Sequence, residues 1–204
     1  MNLKRRVMVA TAVTFFAGFL LTGCGVQSIP KSKNAFEAAM AEVTNQYKRR
    51  SDLIPNLVQT VKGYAKHEEA VLVEVTEARA KASQMSIDPT KMTATQLSQF
   101  QGAQSGLSQA LGRLLVTVEK YPDLKANENF RDLQAQLEGT ENRITVARQR
   151  AIEAINLFNN EVTVPPSSWT NSLFYKYEKL PQWDLSADEK VKVEQPPAVD
   201  FNSK

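Results

Sequence analysis

A row of mostly apolar residues recurs at alternating intervals of four and three along the first third of the chain. Its members are Phe36, Met40, Val43, Tyr47, Arg50, Ile54, Leu57, Val61, Tyr64, Glu68, Val71, Val75 and Ala78. This spacing is typical of helices that pack along a coiled-coil-like seam. The pattern predicts one long helix over residues 35–84, with Asn34 as its N-cap and Glu37 completing a capping box.

Three residues interrupt the regularity of this seam. Pro55 removes a backbone donor and strains the carbonyl of Ser51, so we expect a kink or break there. Arg50 and Glu68 are the charged members of the row. They lie ~27 Å apart along one helix and cannot pair with each other, so each needs a partner from another element. The favoured interpretation is that they fix helix register, and a direct binding role is the alternative.

Two more seams of the same period follow the first. One predicts a helix over about 93–120, with Thr93 and Gln96 as a capping box and Gln104 as the polar member of the seam. The other predicts a helix over about 127–162. The alanines that would let a neighbouring helix approach closely on it are Ala147, Ala151 and Ala154.

The predicted fold class is all-α, an antiparallel bundle of three long helices with the first kinked at Pro55. A short C-terminal helix holding Trp169, Leu173 and Phe174 and an extended tail over 181–204 complete it. The helices differ in length, at ~75, ~40 and ~52 Å. The apolar face of residues 36–54 is therefore predicted to lack a partner, unless the C-terminal segment covers it. We expect that face to make self-association or partner contacts near the membrane.

The N-terminal residues resemble a secretory signal. Lys4, Arg5 and Arg6 precede an uncharged apolar run over residues 7–21. The run ends in Leu21-Thr22-Gly23-Cys24, which resembles a lipobox, in which cleavage leaves a lipid-modified Cys24 as the first residue. The predicted segments are a signal peptide at 1–23, a lipidated tether at 24–33, the bundle at 34–180 and the tail. An uncleaved single-pass anchor is the alternative, because residues 7–26 are long enough to span a bilayer.

The net charge of +3 comes from this targeting segment. The chain has 25 Lys and Arg against 22 Asp and Glu, and Lys4, Arg5 and Arg6 account for the difference. A neutral body gives no support for nucleic-acid binding. The N-terminal cations predict a body outside the cytoplasm. Gly25 after the cysteine favours the outer membrane in a two-membrane bacterium, by resemblance to the lipoprotein sorting rule.

A dense block of polar and aromatic positions in the first helix carries a family resemblance. The block comprises Asn45, Tyr47, Arg49, Arg50, Asp52, Leu53, Ile54, Pro55, Asn56, Leu57, Val58, Val61, Lys62, Gly63, Tyr64, Ala65, His67 and Glu68, followed by Ala78-Arg79. Later matches are Tyr121-Pro122, Glu141-Asn142, Ala147-Arg148 and the residues Pro197, Val199 and Phe201. These residues resemble the LemA family of bacterial membrane-associated proteins.

The resemblance implies a helical bundle tethered to a membrane and supplies no enzymatic activity. The chain departs from the family at Ala151-Ile152, where a Tyr-Asn pair is common, and at Val164-Pro165, where Phe-Pro is common. Many members also keep a transmembrane helix where this chain has its lipobox.

The candidate partner-binding residues come from the family block: Asn45, Tyr47, Arg49, Arg50, Asp52, Pro55, Lys62, Tyr64, His67 and Glu68. Arg49 and Arg50, beside Asp52, could receive lipid phosphates or an acidic partner, but a solvated helix face on which Arg49 pairs with Asp52 is the favoured interpretation. His67 is the single histidine and cannot build a zinc site alone. We predict no catalytic residue, metal or cofactor.

The sequence therefore predicts a lipid-anchored scaffold or adaptor of the cell envelope that binds another envelope protein or itself. A lipid or small-ligand carrier is the alternative, with Trp169, Phe174 and the alanines of the third helix framing a pocket. An envelope hydrolase ranks third. A carrier needs a cavity of a few hundred Å³, which a packed seam does not leave.

Overall fold

The computed structural model describes residues 26–183, and all regular secondary structure in that range is helical. The elements are α1 (Ser28–Tyr64), α2 (Glu69–Gln84), a 3-10 turn (Pro89–Lys91), α3 (Ala94–Val118), α4 (Pro122–Ala126), α5 (Glu128–Thr163), α6 (Ser167–Thr170) and a π-helical turn (Asn171–Tyr175). The prediction of an all-α helical bundle is confirmed. The predicted signal peptide, Cys24 and residues 184–204 lie outside the described range.

The described chain divides into two compact units. The four-helix unit contains residues 44–144 together with Trp183, and the terminal unit contains residues 26–43 and 145–182. Helices α1 and α5 contribute residues to both units.

Neighbouring helices in the four-helix unit run antiparallel. The pairings that establish the directions are Ser51 with Ser83, Glu74 with Arg113, Ala82 with Gln104, Gln46 with Arg143, and Tyr64 with Asn127. Along each pair of neighbouring helices, the residue numbers rise on one helix while those of their partners fall on the other. The unit is therefore an up-down-up-down bundle of α1, α2, α3 and α5.

The core of the four-helix unit is the meeting point of the predicted seams. Its buried members are Ile54, Leu57, Val61, Ala65, Leu72, Val75, Ala82, Leu107, Ala110, Leu114, Val118, Leu124 and Phe130. Helix α3 begins after Thr93, whose side chain accepts from the backbone of Gln96, and the Gln96 side chain accepts from the backbone of Thr93. The capping box predicted for this helix is confirmed.

The prediction of one helix over residues 35–84 is wrong. Helix α1 ends at Tyr64, the chain reverses over residues 65–68, and α2 begins at Glu69. Gly63 is the weak point, since glycine costs a helix about 1 kcal/mol relative to alanine. The reversal places the apolar face of α2 against α3, where Leu72 and Val75 are buried. The bundle consequently has four long helices where the sequence predicted three.

Helix α1 continues through Pro55, so the helix does not break there, which was one of the two outcomes that the sequence predicted. Proline cannot donate to the carbonyl of residue i−4, which is Ser51. Arg79 of α2 takes over that role, because its Nε donates to the Ser51 carbonyl at 2.8 Å. The fold thus compensates for the missing donor through the hairpin partner of the helix.

This compensation predicts that substitutions at Arg79 and Pro55 are coupled. Arg79→Ala should lower the free energy of unfolding by about 1–3 kcal/mol, because it leaves the carbonyl of a buried serine without a donor. In a Pro55→Ala background the new backbone N–H satisfies Ser51, so the same substitution should cost at least about 0.5 kcal/mol less. Urea unfolding of the four variants of the cycle measures the difference. Lys81→Ala, an exposed change on the same helix, is the control, and equal costs of Arg79→Ala in the two backgrounds would contradict the compensation.

The terminal unit pairs the start of α1 with the end of α5. Ile29, Phe158 and Val162 form its buried cluster, with Tyr175, Tyr177 and Leu180 packed against them. The predicted start of the first helix at residue 35, with Asn34 as its N-cap, is wrong, since α1 begins at Ser28. Pro30 lies in the first turn, where a missing backbone N–H loses no helical hydrogen bond, and the fully buried Ile29 stabilises the early start.

The prediction that residues 36–54 present an uncovered apolar face is also wrong. Phe36, Met40 and Val43 are buried in the terminal unit, and Tyr47 and Ile54 are buried in the four-helix unit. The predicted helix lengths left this face bare because they assigned residues 69–84 to an extension of α1, whereas those residues fold back as α2 and reach Ser51. Phe36, Met40 and Val43 belong to the terminal unit, whose other residues, 145–182, come from α5 and the segment that follows it.

Two asparagines hold the segment that follows α5. Asn171 accepts from the backbone N–H of Tyr177 at 2.9 Å and donates to the carbonyls of Tyr177 and Val162. Asn159 makes a similar pair of hydrogen bonds with the backbone of Leu180. Residues 176–183 have no regular secondary structure, yet they are fixed to the helices by these side chains.

Candidate functional site

Arg50 is the most deeply buried charged residue of the family block, with 2% of its surface exposed. Its Nη1 donates to Ser108 Oγ at 2.9 Å and to Glu141 Oε2 at 3.0 Å. Its Nη2 donates to the side-chain oxygen of Gln104 at 2.7 Å and to the Gln104 carbonyl at 3.3 Å. The sequence predicted that Arg50 needs a polar partner from another element. In the structure it has three such partners, which come from two other helices.

Aromatic rings extend the surroundings of Arg50. The guanidinium carbon lies 5.0 Å from the ring centroid of Tyr47, within the range of a cation–π contact. Tyr47 packs edge-on against Phe100 with centroids 5.2 Å apart, and Phe100 packs edge-on against Trp183 at 6.4 Å. Arg50 therefore lies at one end of a stack that runs from Tyr47 through Phe100 to Trp183.

Glu68 and Tyr64 have a different environment from that predicted. Both lie where the chain leaves α1, and Tyr64 is 45% exposed. Glu68 accepts a hydrogen bond from the Tyr121 hydroxyl at 3.0 Å, which raises the pKa of Tyr121 because the bond and the nearby carboxylate favour the protonated phenol. The Tyr64 hydroxyl accepts from Asn127 at 2.9 Å. These residues fasten the α1–α2 turn to the connection between α3 and α5.

The other candidate partner-binding residues lie on the surface. The exposed residues are Asn45, Arg49, Asp52, Pro55, Lys62 and His67. Within residues 26–183, no group of three or more His, Cys, Asp and Glu side chains is arranged to hold a metal ion. In the same range, no helix has both the length and the apolar character needed to cross a bilayer.

A first groove opens beside this block in the four-helix unit, with a volume of about 340 Å³. Lys48 and Asp52 of α1 and Arg79 of α2 supply charges of both signs. Met85 and Phe100 supply apolar surface. The groove can therefore receive a side chain or a short peptide that presents both polar and apolar groups.

A second groove of about 300 Å³ lies on another side of Arg50. Its apolar lining residues are Leu57, Leu111, Leu115 and Leu137, and Arg50 and Glu141 also line it. Trp169 and Phe174, which were predicted to frame a ligand pocket, are 63% and 71% exposed, and neither residue lines this groove.

The sequence identified part of this arrangement and missed the rest. The seam period marked Arg50 and Gln104 as polar members of apolar rows, and they are hydrogen-bonded to each other. Ser108 gave no signal and Glu141 was noted only as part of the resemblance, because both occupy exposed positions outside the apolar rows. Arg79 was noted only as part of the resemblance, and its contact with Ser51 joins residues 28 positions apart.

Most of the helical part of the chain is also similar to known proteins. Residues 39–201 match the LemA family. The chain is similar to Protein LemA of Metamycoplasma hominis, with 20% identity over 186 residues that cover 87% of this chain and 80% of the relative. It is also similar to the magnetosome proteins MamQ 2 and MamQ 1 of Paramagnetospirillum magneticum, each with 34% identity over 65 residues, or 32% of this chain and 24% of the relative.

Proposed function

Because the chain belongs to the LemA family, we propose that it is a membrane-anchored helical scaffold of the bacterial cell envelope. In this proposal the lipid anchor is attached to Cys24, and the body lies outside the cytoplasm. The support for the anchor is the sequence Leu21-Thr22-Gly23-Cys24 at the end of an apolar run that follows three cations. The role requires no cofactor and no catalytic step.

The first groove is the observation that carries the binding role. Tyr47 and Asp52 of the family block line it together with Arg79, which the same resemblance includes. Lys48 and Arg79 favour an acidic side chain on the partner. Met85 offers an adaptable apolar contact, as methionine does in other protein-binding surfaces. The proposed occupant is a short segment of another envelope protein.

Crosslinking in intact cells tests this binding role. Tyr47 is buried, so a photoreactive residue belongs at the exposed neighbour Lys48 on the groove. We expect one discrete adduct with another envelope protein, identified from its peptides. Met85→Asp should weaken that adduct by about tenfold, since it places an unsolvated charge against the apolar part of the partner at a cost of about 1.4 kcal/mol.

The matched control places the same photoreactive residue at Val116, which is 70% exposed on α3 and lies away from the groove. Equal adducts from Lys48 and Val116, or an adduct insensitive to Met85→Asp, would overturn the assignment of the groove. An adduct with a second copy of the chain would replace the adaptor role with self-association.

The second groove favours one alternative, a carrier of a small apolar ligand. Its volume of about 300 Å³ and its leucine lining suit such a ligand. The Nη groups of Arg50 are already engaged, so an acidic ligand would compete with Glu141 for Nη1. The same photoreactive residue can be placed at Gly112, where an added Cβ meets no atom within 4 Å. If the protein carries a ligand, crosslinking there should increase the mass of the chain by the mass of a small molecule.

A further inference from the structure

The terminal unit exposes a cluster of large apolar side chains. Trp169 is 63% exposed, Leu173 74% and Phe174 71%, and all three lie on α6 and the π-helical turn that follows it. Val164, the residue after α5, is 52% exposed. Single exposed apolar residues are common, but several large ones within six positions mark an interaction surface.

The turn is inverted relative to an ordinary surface helix. Its polar residues Thr170 and Asn171 are buried, at 8% and 7% exposed, while its apolar residues point outward. Asn171 fixes this orientation through its hydrogen bonds to Val162 and Tyr177. The structure therefore holds the apolar side chains outside, and burying them inside would break three hydrogen bonds.

The position of the cluster indicates what covers it. The hydroxyl of Tyr175, the residue that follows Phe174, donates to the carbonyl of Val26 at 2.8 Å. Val26 is two residues from Cys24 and follows the apolar run of residues 7–21. The cluster thus lies beside the point where the chain leaves its proposed anchor.

The charges around the cluster are mixed. Lys176, Glu178 and Lys179 follow the cluster in the sequence, and Lys31, Lys33, Glu37 and Glu161 belong to the same unit. Lys33 pairs with Glu37 at 3.8 Å, and Glu161 accepts from Ser28. Such a surface does not select an anionic partner, so apolar insertion must supply the binding free energy.

We propose that Trp169, Leu173 and Phe174 insert into the interfacial layer of the bilayer that holds the anchor. The inference rests on the proposed membrane anchoring. Tryptophan is favoured at this depth because its ring is apolar and its N–H reaches water or headgroups. Insertion to ~5–10 Å would orient the terminal unit against the membrane at a second point besides Cys24.

Tryptophan fluorescence in vesicles tests the insertion. The full lipid-modified chain is reconstituted in phosphatidylcholine vesicles, with or without bromine atoms on the upper acyl carbons as quenchers. The chain has two tryptophans, and Trp183 is buried next to Phe100 in the four-helix unit. We expect brominated lipid to reduce the fluorescence intensity that Trp169 contributes by about twofold or more, with little dependence on salt. That contribution is the difference between the natural chain and Trp169→Phe.

The alternative results separate this inference from the anchor on which it rests. A chain that floats with the vesicles but shows no bromine quenching of Trp169 would overturn the insertion and leave the anchor standing. If Trp169 were also shielded from aqueous acrylamide, the cluster would be assigned to a contact with a second copy. A chain that does not float, with Cys24 unmodified by mass spectrometry, would overturn both. Trp183→Phe, which leaves Trp169 as the sole indole, must give the same quenching as the difference measurement.

Discussion

Replacing Arg50 with alanine is expected to lower the free energy of unfolding by about 3–5 kcal/mol. The neighbouring change Arg49→Ala should cost less than about 0.5 kcal/mol. The two residues have the same chemistry and adjacent positions on α1, but Arg50 is 2% exposed and Arg49 lies on the surface. Chemical unfolding followed by circular dichroism measures both.

The large cost of Arg50→Ala has two sources. The side-chain oxygen of Gln104, itself buried, loses a charged donor at 2.7 Å, and the volume of a large side chain is left empty beneath Tyr47. The ion pair contributes less, because Glu141 is 54% exposed and its carboxylate can return to water. Glu141→Gln should therefore cost no more than about 1 kcal/mol.

A double substitution separates polarity from packing at this position. Arg50→Met with Gln104→Leu removes both polar partners and keeps most of the volume, so it should be less destabilising than Arg50→Ala alone. If the free energies of unfolding of Arg50→Ala and Arg49→Ala differed by less than about 0.5 kcal/mol, the buried cation would not stabilise the four-helix unit. The register role of Arg50 would then fail.

Local signals explain which parts of this fold the sequence predicted. Helix α3 was predicted with its cap because Thr93 and Gln96 act on each other across a single turn. Helix α5 was predicted over about 127–162 and spans Glu128–Thr163, since its seam is uninterrupted and Asn127 caps its first turn. In both helices the decisive interactions lie within a few residues of each other.

The reversal after Tyr64 had no comparable signal. Glu68 and Val71 continue the four-and-three spacing of α1 through the turn, so a hairpin and a continuous helix have the same apolar pattern. Only long-range contacts distinguish them, such as Arg79 with Ser51 and Glu74 with Arg113. The same limit applies to the candidate site. The four-and-three spacing showed that Arg50 needs a polar partner, but it did not show that Glu141 is among its partners.

Trp183 was assigned to the extended tail for a related reason. Its neighbours Pro181, Gln182 and Asp184 are poor candidates for a core, and no periodic pattern includes it. In the structure it is 6% exposed and packs edge-on against Phe100. A residue without helical context can still be buried when an aromatic partner from elsewhere in the chain is available.

Trp183→Ala should consequently destabilise the protein by about 3–5 kcal/mol, as expected for removal of a buried indole. Trp169→Ala, which removes the same side chain from a position 63% exposed, should change the free energy of unfolding by less than about 0.5 kcal/mol in solution. Unfolding of the two variants under identical conditions gives the comparison.

Conservative replacement shows whether the ring itself is responsible. Trp183→Phe keeps an edge for Phe100 and should recover more than about half of the loss, since most of the buried apolar area is retained. The expected order of stability is Trp169→Ala, then Trp183→Phe, then Trp183→Ala. Equal stability of the two alanine variants would mean that residues 181–183 add nothing to the four-helix unit, and that the stack from Arg50 through Tyr47 ends at Phe100.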